Sequence, residues 1–399
     1  MKMEEIRNSH RLMRRREGHD GSVSFSELLF DLIYVFAVTQ LSHYFLHHLD
    51  FSGFVETTIL WFGIWLVWQH TTWVTNWFNP DKRPIRLLLF GLMILSLFMT
   101  SALSEAFDDK GLIFAGCYVT IQVGRTLVIL FLLGNKHLIS NNFKRILGWM
   151  CISGVFWIAG AFQDSHIRIY IWTIAVLVDY TAPMFGFYLP GLGRSDSRKE
   201  WTIDGHHLVE RCQLFVIIAF GETILMTGAS LSEIEIWTTE KVVAALASFI
   251  GSLAMWWVYF DVSSEAASHK IQKTANPGLL GFKYHAIHVI LVGAIIICAV
   301  GDEFVVSEPA GELTPMLLFV LIFGPVIYLL TNILFKWITF RSIPLSHIIA
   351  ISFLLILALF SYELDILIIN TIVVVIFILV GILELINPDN QKEKLEEQL

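Results

Sequence analysis

Residues 206–228, HHLVERCQLFVIIAFGETILMTG, form an apolar run long enough to cross a bilayer, yet they hold Glu210, Arg211 and Glu222. About 20 apolar residues span the roughly 30 Å of hydrocarbon, and lipid offers no partner to an open strand edge, so the run reads as a membrane helix. Arg211 and Glu222 are eleven residues apart, close to three turns at about 3.6 residues per turn and about 16 Å along the axis. Both therefore fall on nearly one face. An ionised group in hydrocarbon costs about 3 kcal/mol or more, so such residues turn toward a bundle interior or a water-filled cavity. The stretch marks a fold class and a candidate site together.

Outward from it, the chain repeats the pattern. Its 399 residues are 55% hydrophobic and only 16% charged, against about 25% charged in soluble domains, and the mean hydropathy is +0.66. The expected class is an all-α polytopic membrane protein. The net charge of -8 sits in loops and tails and forms no nucleic-acid patch. Cys117, Cys151, Cys212 and Cys298 lie in apolar segments without CxxC pairing and read as small core residues. The first apolar run is too long for a signal peptide and carries Glu27 and Asp31, so it is expected to remain in the mature protein.

Twelve segments are predicted to span: 25–46, 54–78, 84–107, 111–133, 143–162, 166–190, 208–229, 240–261, 282–305, 313–338, 344–360 and 364–386. Residues 1–24 read as a mobile basic tail, 25–190 as a first six-helix half, 191–207 as a linker, 208–386 as a second half and 387–399 as a second tail. Lys and Arg crowd into both tails and the loops that share their side. Only Lys110, Arg168 and Lys241 fall in the opposite loops, while Arg125 and Arg211 lie inside helices. By the positive-inside rule both termini are cytoplasmic. Pro183 in the sixth segment and Pro325 in the tenth, after Gly324, are expected to kink their helices.

A duplication is also visible. Glu27 opens the first helix as Glu210 opens the seventh; Phe36, Thr39 and Leu41 match Phe220, Thr223 and Leu225; Asn79 ends the second helix as Asp261 ends the eighth. Six helices per half would give two repeats inserted in parallel, an arrangement in which transporters place substrate sites between the halves.

Two stretches carry a family resemblance: SELLFDLIYVFAVTQLS (26–42) and HHLVERCQLFVIIAFGETIL (206–225), with WWVYFD (256–261) in support. They resemble the bacterial low temperature requirement protein A family over essentially the whole chain, although Cys212-Gln213 departs from a glycine usual soon after Glu-Arg. The resemblance implies a multi-pass protein of the bacterial plasma membrane, named for a growth defect in the cold. It implies no biochemical activity.

The candidate substrate or ion-binding residues are Glu222, Glu210, Arg211, Glu27, Asp31, Arg125, His207 and Asp261. Glu27 and Asp31 share a face of the first helix, where carboxylates gain from the macrodipole. Asp31 is deep enough to need a cation such as Arg125 or Arg211. Glu222 has no opposite charge near it on its own helix, so it must find one across the bundle, bind a cation or hold a proton. Asp261 closes the eighth helix at the cytoplasmic face, where solvent can cap it. His206, His207 and Glu210 share a turn, but zinc needs three or four converging ligands and no HExxH spacing occurs, so no metal is expected. His285 and His288 fit a proton relay. The tryptophans of 61–77 fit packing or interfacial belts.

The lack of a nucleophile–base pair or metal motif at useful spacing counts against an enzyme without closing that question, and without an ATP-binding Gly-rich loop neither direct ATP driving nor a cofactor is expected. The reading favoured is a secondary transporter of an unknown small molecule or ion in the lipid bilayer, coupled to protons or another cation through Glu222. Its rivals are a cation channel and a membrane-embedded enzyme or accessory protein of lipid or envelope metabolism. The channel reading draws on a partial resemblance of FSELLFDLIYVFAVTQL to the first helix of endolysosomal-type potassium channels.

Overall fold

The fold is taken from a computed structural model that describes residues 12–14, 22–134, 137–260, 270–271 and 273–386. Twelve long helices account for most of them: α1 (Phe25–His47), α2 (Phe51–Trp77), α3 (Arg83–Ser101), α4 (Gly111–Leu133), α5 (Ser140–Ala161), α6 (Ser165–Met184), α7 (Gly205–Ser232), α8 (Thr239–Phe260), α9 (Pro277–Ser307), α10 (Pro315–Phe340), α11 (Leu345–Phe360) and α12 (Ile366–Ile386). Among the described residues there is no strand, only two isolated bridges. The protein is all-α.

Large apolar side chains cover the outside: Leu87, Phe90, Ile94 and Phe98 on α3, and Ile348, Phe353, Ile356 and Leu359 on α11. The charged side chains of Glu27, Asp31, Arg125, Arg211 and Glu222 are buried instead. This is the arrangement lipid demands, and the molecule is an integral multi-pass membrane protein. Ten of the twelve helices are long and apolar enough to cross a membrane. The other two, α5 and α6, have the length but carry Asn141, Asn142, Lys144, Arg145, Arg168 and Asp179.

The chain packs into two compact units. The described residues of the first fall within Met1–Tyr44, Ser52–Arg211 and Ile271–Phe282. Its core helix is α2, with Trp61, Trp65, Trp68, Trp73 and Trp77 all buried. Lipid is as apolar as a helix interior, so close packing and interhelical hydrogen bonds must hold such a bundle together. The indoles supply both. Trp157 packs at a tilt, its ring centroid 5.2 Å from that of Trp172 and 4.6 Å from that of Tyr118, and the Trp172 N–H donates to the Trp157 carbonyl at 2.9 Å.

Arg168 fixes how α3 to α6 run. Its guanidinium donates to the carbonyls of Ala106 and Asp108 after α3 and to those of Gly160, Ala161 and Gln163 at the end of α5. A Cβ at Gly111 would lie 2.5 Å from this guanidinium, so glycine is required where α4 starts. At the opposite end Arg145 of α5 binds Glu200 at 3.0 Å and the Leu192 carbonyl at 2.8 Å, and Ser140 donates to the Gly134 carbonyl at 2.6 Å. Helices α4, α5 and α6 therefore extend between the same two ends.

The second unit's described residues fall within Phe45–Phe51, Cys212–Lys270 and Lys283–Leu399. Helix α8 packs along α12, and α10 and α12 flank α11. Tyr259, Tyr284, His288 and Phe335 form an aromatic knot with ring centroids 4.2 to 5.9 Å apart. His288 Nδ1 donates to the Tyr284 carbonyl at 2.7 Å and Nε2 accepts from the Tyr259 hydroxyl at 2.8 Å. Both ring nitrogens are thereby committed to packing.

The two prolines act differently from a common kink. Pro183 lies in the last turn of α6, as its penultimate residue. Pro325 follows a π-helical turn, Phe319–Phe323, in which the Gly324 N–H reaches back to the Phe319 carbonyl. The wider turn accommodates a ring that an α-helical turn would clash with.

Candidate functional site

Helix α1 begins with a capping box. Ser24 precedes it, the Ser24 N–H donates to Glu27 Oε2 at 2.9 Å, and the Glu27 N–H donates back to Ser24 Oγ at 3.3 Å. This places Glu27 one turn inside the helix and Asp31 one turn further, on the same face. Both are buried, at 0% and 2% exposure.

Helix α7 brings His207 and Arg211 to that face. Arg211 Nη2 donates to Asp31 Oδ1 at 2.6 Å, and Nη1 lies 3.1 Å from Glu27 Oε1. His207 Nε2 is 2.7 Å from the same Glu27 oxygen. Trp68 of α2 donates its indole N–H to Asp31 Oδ1 at 2.8 Å, and the Arg211 guanidinium lies over its ring at 5.7 Å. Arg14, from the segment before α1, completes the cluster. Its backbone N–H is bound by the Trp77 carbonyl, and its guanidinium donates to Thr75 O, Ser22 O and, at 2.8 Å, Glu27 Oε2.

The protonation of His207 follows from its neighbours. The Asp204 N–H can only donate, so the Asn76 atom it meets at 2.8 Å is the amide oxygen. Asn76 Nδ2 then faces the Asp204 carbonyl at 2.9 Å and His207 Nδ1 at 3.1 Å. Nδ1 must accept, leaving Nε2 to carry the hydrogen given to Glu27. With His207 neutral, Arg14 and Arg211 balance Glu27 and Asp31 among the described residues. The two carboxylates differ in one respect: both Glu27 oxygens have donors, whereas Asp31 Oδ2 has none among the described residues.

The other sequence candidates fall elsewhere. Glu210 is at the edge of this cluster, accepting from the Val23 N–H at 3.0 Å, and so holds the chain entering α1. Arg125 of α4 is not the partner of Asp31. It donates to Thr71 Oγ1 at 3.0 Å, to the Val67 carbonyl and to Gln122 Oε1. Gln122 leads on through Tyr118 to Asp179, whose Oδ2 accepts from the Tyr118 hydroxyl at 2.7 Å and the Trp157 indole at 3.1 Å. Glu222 belongs to the second unit and is buried there, and it interacts electrostatically with Glu303 of α9. Asp261 lies outside the described residues.

Sequence reasoning missed Arg14, Trp68, Asn76 and Asp179. Arg14 belongs to a segment expected to be a mobile tail, but the Trp77 and Thr75 carbonyls and Glu27 hold it down. Asp179 carries a sequence signal of its own, a lone carboxylate in an apolar run.

Comparison with known proteins gives three findings. The model of a family described as bacterial low temperature requirement A protein matches residues 22–382. A protein of Rhizobium meliloti (strain 1021), described only as uncharacterised, is 38% identical over 346 residues, covering 85% of this chain and 83% of its own. No solved structure matches.

Proposed function

This chain belongs to the bacterial low temperature requirement A family, and from that premise we propose that it is a secondary transporter of the bacterial plasma membrane, driven by protons or another cation. The observation that carries the reading is the sharing of Arg211 between Glu27 and Asp31. Buried ionisable groups in membrane helices commonly serve ion pathways and proton relays. A single carboxylate–arginine pair resists protonation, because neutralising the acid strands the cation. Here a proton on Asp31 Oδ2 leaves Arg211 with Glu27, and Glu27 with Arg14 and His207. The cluster then carries one net positive charge, and an arriving anion or a movement of α7 restores the balance. That is the elementary requirement for coupling.

Glu222 extends the same logic along α7. Its neighbour Glu303 has the same sign, and two carboxylates in a medium of low polarity favour a shared proton or a cation between them.

The transporter is further proposed to have twelve spans with both termini cytoplasmic. The clasp at Arg168 and the anchor at Arg145 support membrane crossing by α5 and α6, because these helices share both ends with the apolar α4. The echo of helix one in helix seven supports two parallel six-helix repeats.

Proteoliposomes loaded with a pH-sensitive dye and given a panel of organic ions test the reading. Gradient-driven, saturable flux is expected, abolished by Asp31→Asn and by Glu222→Gln. Unitary currents of high conductance would instead identify a channel. Silence across the panel would shift the weight to an enzyme or accessory role in lipid or envelope metabolism.

A further inference from the structure

The turn that ends α10 gathers positive charge. Arg341 follows the helix as its C-cap with φ 56°, in the left-handed region that favours glycine. Its backbone N–H returns to the Trp337 carbonyl at 3.0 Å, and its guanidinium lies over the Trp337 ring, 5.1 Å from the centroid. Lys270, from the connection between α8 and α9, reaches the same turn and donates through Nζ to the Thr339 carbonyl at 2.8 Å. Burial, and then the neighbouring Arg341, lower the Lys270 pKa from the usual lysine value.

Two like charges thus share one turn, and little offsets them. A helix C-terminus supplies only about half a negative charge. No carboxylate pairs with Lys270 or Arg341 among the described residues; Glu384 of α12, which meets α10 a turn earlier, is bound to Lys336. Exposed cations at other helix ends do find an acid: Arg86 pairs with Asp81 at 3.0 Å and Lys110 with Glu105 at 2.6 Å. Lys270 spends one of the three N–H donors of an ammonium on Thr339, and Arg341 is exposed.

The surroundings of the pair are apolar. Leu330, Leu334 and Trp337 are exposed and precede Arg341 at a spacing that puts them on one face of α10. Ile343 and Leu345, just after the turn, are exposed as well. In a membrane protein such a face lies against acyl chains, and an indole at its end marks the level of the headgroups. The two cations therefore stand at the depth of lipid phosphates.

We propose that Lys270 and Arg341 bind the phosphate of an anionic phospholipid whose acyl chains lie along Leu330, Leu334 and Trp337. A phosphodiester carries one negative charge, and its oxygens can be shared between a guanidinium fork and an ammonium. Free phosphate has the same oxygens but no tail for the apolar face, so the lipid is the occupant. The site stands apart from the transporter reading, because binding is measured without flux.

The purified full-length protein in a neutral detergent is titrated with phosphatidylglycerol, phosphatidylcholine or inorganic phosphate. Bound lipid is counted by native mass spectrometry, and thermal unfolding is followed in parallel. Phosphatidylglycerol is expected to bind saturably, to raise the thermal midpoint and to be preferred over phosphatidylcholine by about fivefold or more. Inorganic phosphate at the same concentration should leave the midpoint unchanged. Lys270→Gln and Arg341→Asn should each weaken phosphatidylglycerol binding about fivefold, the worth of one basic group at such a surface, and the double variant should lose the preference. Asparagine tolerates a left-handed backbone, so Arg341→Asn removes the charge without adding strain. Arg86→Gln, which removes a cation already paired, should leave the affinity as it is. Equal binding of the two lipids overturns the proposal, as does a preference undiminished in the double variant or lost as fully in Arg86→Gln. Stabilisation by inorganic phosphate equal to that by phosphatidylglycerol also overturns it, since the occupant would then be a free anion. If Lys270→Gln does not fold, an undiminished preference in Arg341→Asn alone is enough to reject the site.

Discussion

Arg211 holds two carboxylates, and their unequal surroundings set what each substitution does. Glu27 is also bound by Arg14, His207 and the Ser24 N–H, so it survives the loss of any one donor. Among the described residues Asp31 has two donors, Arg211 and the Trp68 indole. Breaking a buried ion pair from one side costs about 3–5 kcal/mol. Arg211→Gln is therefore expected to destabilise the protein by about that amount, measured by thermal unfolding in detergent. Asp31→Asn is expected to cost about 1 kcal/mol, because the asparagine oxygen still accepts from both donors. Equal losses in the two variants would show that Arg211 is not shared in the way its distances indicate. Arg14→Gln should fall between them, since it leaves Glu27 with Arg211 and strips the backbone carbonyls of Thr75 and Ser22 of a donor.

At the scale of the helix, the ten apolar helices were legible because apolar length survives any detail of packing. What the sequence did not disclose were the places where tertiary contacts overrule it. Helix α9 starts at Pro277, earlier than hydropathy suggests, and Gly278 and Gly281 approach Trp201 and Ile203 there. Helix α6 ends at Met184, after Pro183, and the chain turns through positive φ at Gly186 and Phe187. Glu27, Asp31, His207 and Arg211 stood out as polar residues at one end of apolar runs. Asn76 and Trp68 did not, because an amide or an indole becomes part of a site only through what folds against it. Pro325→Ala tests the π turn directly. Restoring the N–H should return the turn to α-helical register and shift the thermal midpoint measured in detergent. Gly111→Ala should displace Arg168 from the carbonyls it binds and lower the thermal midpoint sharply, whereas Gly116→Ala, where a Cβ meets nothing, should not.

Across the whole molecule, topology is the property that accessibility can read. Single cysteines at Gln163 and at Arg198, in a background lacking the four native cysteines, are expected to react with a membrane-impermeant maleimide from opposite sides of inverted and right-side-out vesicles. Labelling of Gln163 from the same side as Arg198 would remove α5 and α6 from the spanning set. The total would still be even, and both termini would stay on one side. If α5 and α6 do cross, the Arg168 clasp bears on biogenesis. A hairpin with this many polar groups leaves the translocon unwillingly, yet its arginine must travel to the far side. The carbonyls waiting after α3 and α5 give it a destination. The order of synthesis then matters: the α3–α4 hairpin must already be in place when α5 and α6 emerge. A chain in which α3 and α4 are deleted should leave the α5–α6 turn on the cytoplasmic side, as a glycosylation acceptor placed at Gln163 in a microsomal translation would report.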